Sequence, residues 1–361
     1  MSNYIDEFRD SAASGKLAEA LLAYKGRKLN IMEVCGTHTM AIFRYGIREL
    51  LPDGVRLVSG PGCPVCVTPV GYIDAAIAAA KLDNSIITTF GDLIRVPGSA
   101  ATLAGEKANG ADIRIVYSPL DALAIARENP EKKVTFLSVG FETTTPVCAL
   151  TVLKAREENL RNFFILPANK TMPEALKLLA ADRTAGIDGY LYPGHVSTII
   201  GTGFYGEIAE KYGIPGVVAG FEPLDILHAV LTLTELCNRP EKQVVNEYSR
   251  FVRNEGNPLA MDKMYEVFEA VDSEWRGLGC IPGSGLAVRI KYEAFDAWKV
   301  FGLSWGTGRE PKGCLCGEVL KGKAVPADCG LFGRICTPES PAGACMVSSE
   351  GTCAAYYRYN R

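Results

Sequence analysis

Six of the twelve cysteines fall between Cys314 and Cys353, in the stretch CLCGEVLKGKAVPADCGLFGRICTPESPAGACMVSSEGTC. Thiolates are soft metal ligands, and in pairs they are two-electron redox groups. Gly and Pro recur through this stretch and no hydrophobic period runs through it. Such a segment buries little apolar surface by itself, so a metal cluster is the first candidate for what holds it. Four thiolates hold a [4Fe-4S] cluster, and six are present: Cys314, Cys316, Cys329, Cys336, Cys345 and Cys353. The two in excess point to a thiol pair that exchanges electrons with the cluster. Zinc is the competing reading, but the wide, irregular gaps do not resemble paired zinc knuckles.

Two further cysteine motifs lie far upstream. VCGTHTM places Cys35 and His38 directly after an apolar run, where Thr37 or Thr39 would cap a helix. A helix N-terminus lowers a cysteine pKa and favours the thiolate, as nucleophile or ligand. His38 would share a metal with Cys35 or act on its proton; the alternative is a capped turn with a buried thiol and a satisfied imidazole. SGPGCPVCVTP carries Cys63 and Cys66 as a CxxC, which suits a redox dithiol or half a metal site. The chain has no second CxxC to complete a four-thiolate zinc ribbon, which favours the dithiol. Gly60, Pro61 and Gly62 predict a tight exposed turn open to a ligand or partner. If both motifs end adjacent strands, three thiols and one imidazole share a cleft.

Polar residues recur at other strand ends. FGDLIRVPG supplies Asp92 and Arg95, VGFETTTP supplies Glu142 and Thr143, and YPGHVSTIIG supplies His195 and Ser197. In parallel α/β sheets ligands bind at the carboxyl ends of strands, so these are candidate cleft residues. Helix capping and a surface ion pair are the structural alternatives. No phosphate-binding P-loop and no dinucleotide fingerprint occurs. Cys148, Cys237 and Cys280 stand alone and read as buried small hydrophobes.

The elements that must position these groups follow from the apolar pattern. Residues 3–25 read as an amphipathic helix with Ile5, Phe8, Leu17, Leu21 and Leu22 on one face. Short β-rich runs at 29–34, 55–59, 85–90 and 113–118 then alternate with helical stretches. The same rhythm repeats with strands at 133–139, 162–167, 189–193 and 216–221. Near-continuous apolar strands of this kind suit parallel sheets covered on both faces. From about 239 onward the pattern is mainly helical, through VVNEYSRFVRNEG and MDKMYEVFEAVDSEW, before the cysteine stretch. The 361 residues suffice for two or three domains. A net charge of −3 without basic runs gives no reason to expect nucleic acid as a partner. The N-terminus lacks a basic and apolar leader, and no apolar run approaches the roughly 20 residues of a spanning helix. The expectation is a cytoplasmic protein without membrane attachment, in a compartment where clustered cysteines bind metal or do redox chemistry.

Together, CGTHTM, SGPGCPVCVTP, FGDLIRVPG, VGFETTTP, YPGHVSTIIG and DCGLFGRICTPESPAGACMVSSEGTCAAYY resemble the HypD family of [NiFe]-hydrogenase maturation factors. The blocks span residues 30–360 in the family's order, with no departure at a cysteine. The resemblance implies two parallel-sheet α/β domains facing a cleft, at 27–130 and 131–222. A mainly helical Fe–S domain would take 1–26 and 223–361. It implies assembly of the Fe(CN)2CO group with a HypC-type chaperone and a HypE-type cyanide donor. Carried onto this chain, Cys35 with His38 would meet the iron, Cys63 and Cys66 would be the redox dithiol, and Cys314, Cys329, Cys336 and Cys353 would hold a [4Fe-4S] cluster. Cys316 and Cys345 would then form a second redox pair, similar to ferredoxin–thioredoxin reductase. Spacing alone leaves the choice between Cys314 and Cys316 as ligand open. A free-standing, cluster-driven thiol–disulfide reductase is the alternative function.

Overall fold

The computed structural model describes residues 6–359. Nine parallel strands form two sheets: β1 (Leu29–Glu33), β2 (Val55–Ser59), β3 (Ser85–Thr89), β4 (Asp112–Ile115), β5 (Lys133–Ser138), β6 (Phe163–Pro167), β7 (Gly189–Pro193), β8 (Gly216–Ala219) and β9 (Val244–Asn246). Five of them make one sheet, in the order β2-β1-β7-β8-β9, and four make the other, in the order β4-β3-β5-β6. β1, β3, β6, β7 and β8 are buried almost throughout, as parallel strands under helices on both faces must be, whereas the edge strands β4 and β9 are only partly covered.

The sheets divide the chain differently from the expected boundary at residue 130. β1 and β2 do not pair with β3; β1 pairs instead with β7, Met32 opposite Tyr190. The chain therefore leaves the first sheet after β2, builds the whole second sheet, and returns. Local sequence carries the period of each element, whereas strand pairing is decided by which apolar faces meet. The N-terminal helix Ser11–Leu22 and the helix Pro223–Asn238 also belong to the first sheet: Leu21 packs with Ile226, Val230, Ile31 and Leu191 in one cluster. They were expected with the C-terminal domain. Ile5 lies outside the described residues.

The region after residue 239 is less helical than expected. Val244–Asn246 is the fifth strand of the first sheet, and the helix Pro258–Val267 stops at Phe268. There the chain enters an antiparallel hairpin of β10 (Phe268–Trp275) and β11 (Gly279–Val288), with a register shift between Val271 and Ser273. Phe268 and Trp275 are buried, with the exposed Glu269 to Asp272 and Glu274 lying between them. That spacing mimics a helical turn, while the Gly-rich partner GCIPGSGLAV reads as a loop.

One apolar cluster joins all these parts. It contains Met32 of β1, Val34 just after it, Cys63, Cys66, Phe141, Tyr192, Tyr205, Trp275, Cys316 and Cys345. The thiols thus lie where the two sheets, the hairpin and the C-terminal segment meet.

Glycine marks one close approach in this junction. A Cβ on Gly62 would fall 2.3 Å from the Cys35 nitrogen and 2.4 Å from its Cα. Gly62→Ala is expected to destabilise the protein by about 1–3 kcal/mol through overpacking. Gly15→Ala, inside the helix Ser11–Leu22 with nothing within 4 Å, should stabilise it by about 0.5–1 kcal/mol. Denaturant midpoints of the two variants check this; a Gly62→Ala midpoint equal to wild type would show that the contact is not tight.

Candidate metal and thiol site

The carboxyl ends of β1 and β2 lie side by side, Glu33 opposite Ser59, and set the first two motifs together. The Gly60 N–H donates to Glu33 C=O at 2.8 Å, and the Gly36 N–H to Gly62 C=O at 3.0 Å. Cys35 is the extended N-cap residue of the helix Gly36–Arg44. Backbone N–H groups of His38 and Thr37 favour its thiolate, but burial and then Glu350 outweigh them and push the thiol up to about 12. The lowering expected from the helix end is therefore overridden by desolvation. Glu350 comes from the cysteine segment: it accepts from the Thr37 hydroxyl at 2.8 Å, and a Cβ on Gly36 would lie 2.5 Å from its own Cβ.

His38 is fully buried. Its Nε2 donates to Gly220 C=O at 2.8 Å, which leaves Nδ1 as a lone-pair nitrogen without a partner. Burial lowers its pKa to about 4, so the ring is neutral. Phe221 lies between His38, 4.6 Å away, and His195, stacked at 4.0 Å. A neutral imidazole with a free lone pair beside Cys35 in sequence is a metal-ligand type of group.

The Gly60–Cys66 loop is buried, not the exposed turn expected from its composition. The Cys66 N–H points at Cys63 Sγ at 3.2 Å. Cys66 is fully buried, which pushes its pKa well up, and its neighbours are Cys345 and Cys63. Cys345 in turn has Cys316, Cys353 and Cys66 as neighbouring thiols and takes the Cys353 N–H at 3.2 Å; these donors hold its pKa well below the ordinary thiol value. Cys316 is also in contact with Cys314. The result is an unbroken row: Cys63, Cys66, Cys345, Cys316, Cys314.

All six cysteines of the C-terminal segment line one small apolar hollow with Leu315, Val319, Leu331, Phe332 and Met346, partly open to solvent. Cys336 Sγ takes the Ala342 N–H at 3.3 Å, and Cys336 feels the charges of Cys314 and Cys329. Among the described residues, no three His, Cys, Asp or Glu side chains converge as ligands of a single metal ion. A cubane cluster makes a different demand. Its thiolates bind separate irons, so they surround a volume instead of meeting at a point. An apolar cavity ringed by six sulfurs has the donor chemistry for such a cluster.

The remaining candidates have varied roles. Asp92 Oδ2 accepts from the Ser348 hydroxyl at 2.8 Å, and Arg95 donates to Pro338 C=O at 3.3 Å and Val347 C=O at 3.5 Å. The FGDLIR turn thus clamps the cysteine segment. Ser197 bonds Pro193 C=O and the Tyr205 hydroxyl, a local brace. Thr143 is exposed, and so is Cys280, which was expected to be buried; Cys148 and Cys237 are buried as expected. Sequence reasoning missed Glu350, Phe221 and Arg276. The acid in SSEGTC, three residues before Cys353, was a usable signal; nothing local marked the other two. A larger cavity of about 690 Å³, lined by Trp298, Trp305, Asp272 and Asp296 among others, holds no cysteine. No helix among the described residues is long and apolar enough to cross a membrane.

Glu142 is buried, with Oε1 accepting from the Met172 N–H at 2.8 Å and Oε2 unpartnered. Burial raises its pKa to about 7 from the ordinary 4.5. A raised folded-state pKa means the folded protein holds the proton more tightly. Stability from this group is therefore full below about pH 4.5 and lost as pH rises through 7, by on the order of 3 kcal/mol. Glu142→Gln should match wild type at pH 5 and exceed it at pH 8, as read from unfolding midpoints. Parallel curves for the two proteins would place the proton elsewhere.

Residues 12–360 match the HypD profile described as the hydrogenase formation hypA family. The chain is 46% identical to the hydrogenase maturation factor HypD of Cupriavidus necator, over 99% of this chain and 97% of that protein. It is 45% identical to the Escherichia coli hydrogenase maturation factor HypD, over 99% and 98%. It is 46% identical to the hydrogenase expression/formation protein HupD of Azotobacter chroococcum, over 99% and 97%. With near-complete coverage on both sides and the cysteine motifs set around one junction, the chain belongs to the HypD family of hydrogenase maturation factors.

Proposed function

We propose that this chain is a cytoplasmic scaffold and redox factor for building the Fe(CN)2CO group of [NiFe]-hydrogenase. It would work with a HypC-type chaperone and a HypE-type cyanide donor. The observation that carries the reading is the thiol row from Cys314 to Cys63, which ends where Gly62 lies against Cys35.

Each residue then has a chemical task. Cys35 offers the iron substrate a sulfur ligand; coordination replaces the proton that burial otherwise holds there. His38, three residues on, has a buried Nδ1 without a hydrogen-bond partner. The Cys63–Cys66 dithiol supplies two electrons and two protons to a thiocyanate group on the donor. The S–CN bond breaks, the donor leaves as a thiol, cyanide leaves with the second proton for the iron, and Cys63–Cys66 becomes a disulfide. Cys345 as thiolate then attacks the neighbouring Cys66 Sγ and releases Cys63. Cys316 attacks Cys345, completes the exchange, and leaves Cys316–Cys345 oxidised and Cys63–Cys66 reduced.

Cys314, Cys329, Cys336 and Cys353 would hold a [4Fe-4S] cluster, which supplies single electrons to the adjoining sulfur pair. Cys353 feels Cys314 and Cys336, and Cys336 feels Cys314 and Cys329, whereas Cys345 is the sulfur that neighbours Cys66, and Cys316 neighbours Cys345 as well as Cys314.

Infrared spectroscopy of the protein co-purified with its small partner tests the proposal, because CN and CO stretches fall in an otherwise empty window. Wild type should show both, Cys35→Ala neither, and Cys63→Ser should lose the cyanide bands. Full cyanide and CO bands in Cys63→Ser would remove the redox role. A wild-type complex without any such bands, yet with disulfide-reducing turnover, would favour the free-standing reductase.

A further inference from the structure

Arg276 follows Trp275 at the turn of the β10–β11 hairpin, and no sequence motif singles it out. Its side chain is 3% exposed. Nε and Nη2 donate to Glu310 Oε2 at 2.9 and 2.6 Å, whereas Nη1 is buried without any acceptor. An unpaired N–H on a buried cation is costly, and such groups mark a site where an acceptor or counter-charge belongs.

The surroundings say which. A Cβ added to Gly343 would lie 3.5 Å from Arg276 Nη2 and 3.6 Å from Cys314 Sγ, so the guanidinium and that sulfur flank one point. Burial opposes the charge of Arg276, yet Cys316, Glu310 and Cys314 together more than offset it and raise its pKa. A cavity of about 240 Å³ on this side is lined by Arg276, Glu310, Cys314, Cys316 and Glu318. The position is rigid. Trp275 is fully buried, stacks on Phe141 at 5.7 Å and donates Nε1–H to Ser284 at 2.8 Å. The Arg276 N–H is bonded to Val67 C=O at 2.8 Å, which ties it to the CxxC loop. Gly277, at φ +80, leaves no room beside Gly317: a Cβ there would lie 2.4 Å from the Gly317 Cα.

We propose that Arg276 is a positioning residue for the sulfur centre, a fixed buried positive charge that stabilises the reduced, more negative state and raises its reduction potential. The inference rests on the cysteine segment holding an Fe–S cluster. Reduction adds one electron and no proton, so the centre gains one unit of negative charge beside the guanidinium. In a low-dielectric site that attraction is large, and net charge and hydrogen bonds to sulfur are established determinants of cluster potential. Glu310, half exposed, damps the effect from outside.

The test is a mediated redox titration of the purified full chain with dithionite, followed by electron paramagnetic resonance of the reduced cluster. Iron and acid-labile sulfide are measured on each sample. At the wild-type midpoint, Arg276→Gln should hold a reduced-to-oxidised ratio at least tenfold lower, which is 59 mV for a one-electron couple. Arg276→Lys should recover part of that loss, and Glu310→Gln should shift the midpoint upward. Arg276→Gln with wild-type iron and sulfide but an unchanged midpoint overturns the inference. If Arg276→Gln fails to hold iron, Glu310→Gln decides by its sign, and an unchanged or lower midpoint overturns the inference. Wild type without labile sulfide would overturn the reading of the cysteine segment itself, a result distinct from either.

Discussion

Desolvation of sulfur is the constraint from which most of this architecture follows. A thiol removed from water stays protonated unless something else takes the place of solvent. Cys35 at the end of β1 and Cys66 in its loop are both driven upward by burial. Replacements for water are of three kinds here. Neighbouring thiols donate to Cys345, a guanidinium faces Cys314 and Cys316, and on the proposed reading metal coordination would be the remaining one for Cys35. Each works only over a short distance, so the fold must bring residues far apart in sequence into contact.

The exchange between the two sheets meets that demand. Had β1 to β4 formed one unit and β5 to β8 another, the β1 and β2 loops would sit on one unit and the Gly220–Phe221 turn after β8 on the other. Instead β1 pairs with both β2 and β7, and β7 with β8. The loops with Cys35 and Cys63 and the carbonyl that orients His38 therefore rise from one continuous sheet edge. The second sheet, by contrast, contributes the clamp at Asp92 and Arg95 and the buried Glu142. Parallel strands aim all these loops to their carboxyl ends, which is why the sequence motifs fall at strand ends.

Element types were legible in the sequence because they depend on local periods. The strands at 55–59 and 189–193 lie where their apolar patterns place them. The cysteine motifs were legible because sulfur in that density has few uses. Strand order was not legible, since Leu29 to Glu33 would be equally apolar beside β3 or β7. The β10–β11 hairpin was hidden because its outer face is charged and its second strand is rich in glycine. Arg276 and Phe221 were hidden for a further reason: a lone arginine or phenylalanine carries no spacing signal, and only its three-dimensional neighbours give it a role. The fate of Cys35 shows the limit of local rules. The helix N-terminus is present as expected, but the burial that reverses its effect comes from Glu350 and Gly62, which are distant in sequence or in another loop.

The cysteine segment itself has little core to hold it, and the structure shows where it borrows stability. Ser348 hangs on Asp92, Glu350 on Thr37, and Tyr356 packs edge-on against Phe43. The short helix Ala344–Val347 carries Cys345 into the junction between Cys66 and Cys353. A segment tied at these points can order its sulfurs only when the first sheet and the FGDLIR turn are already in place. On the proposed reading, metal loading and docking of the segment would be coupled: ligation would gain from sulfurs already gathered, and docking from the charge that ligation neutralises.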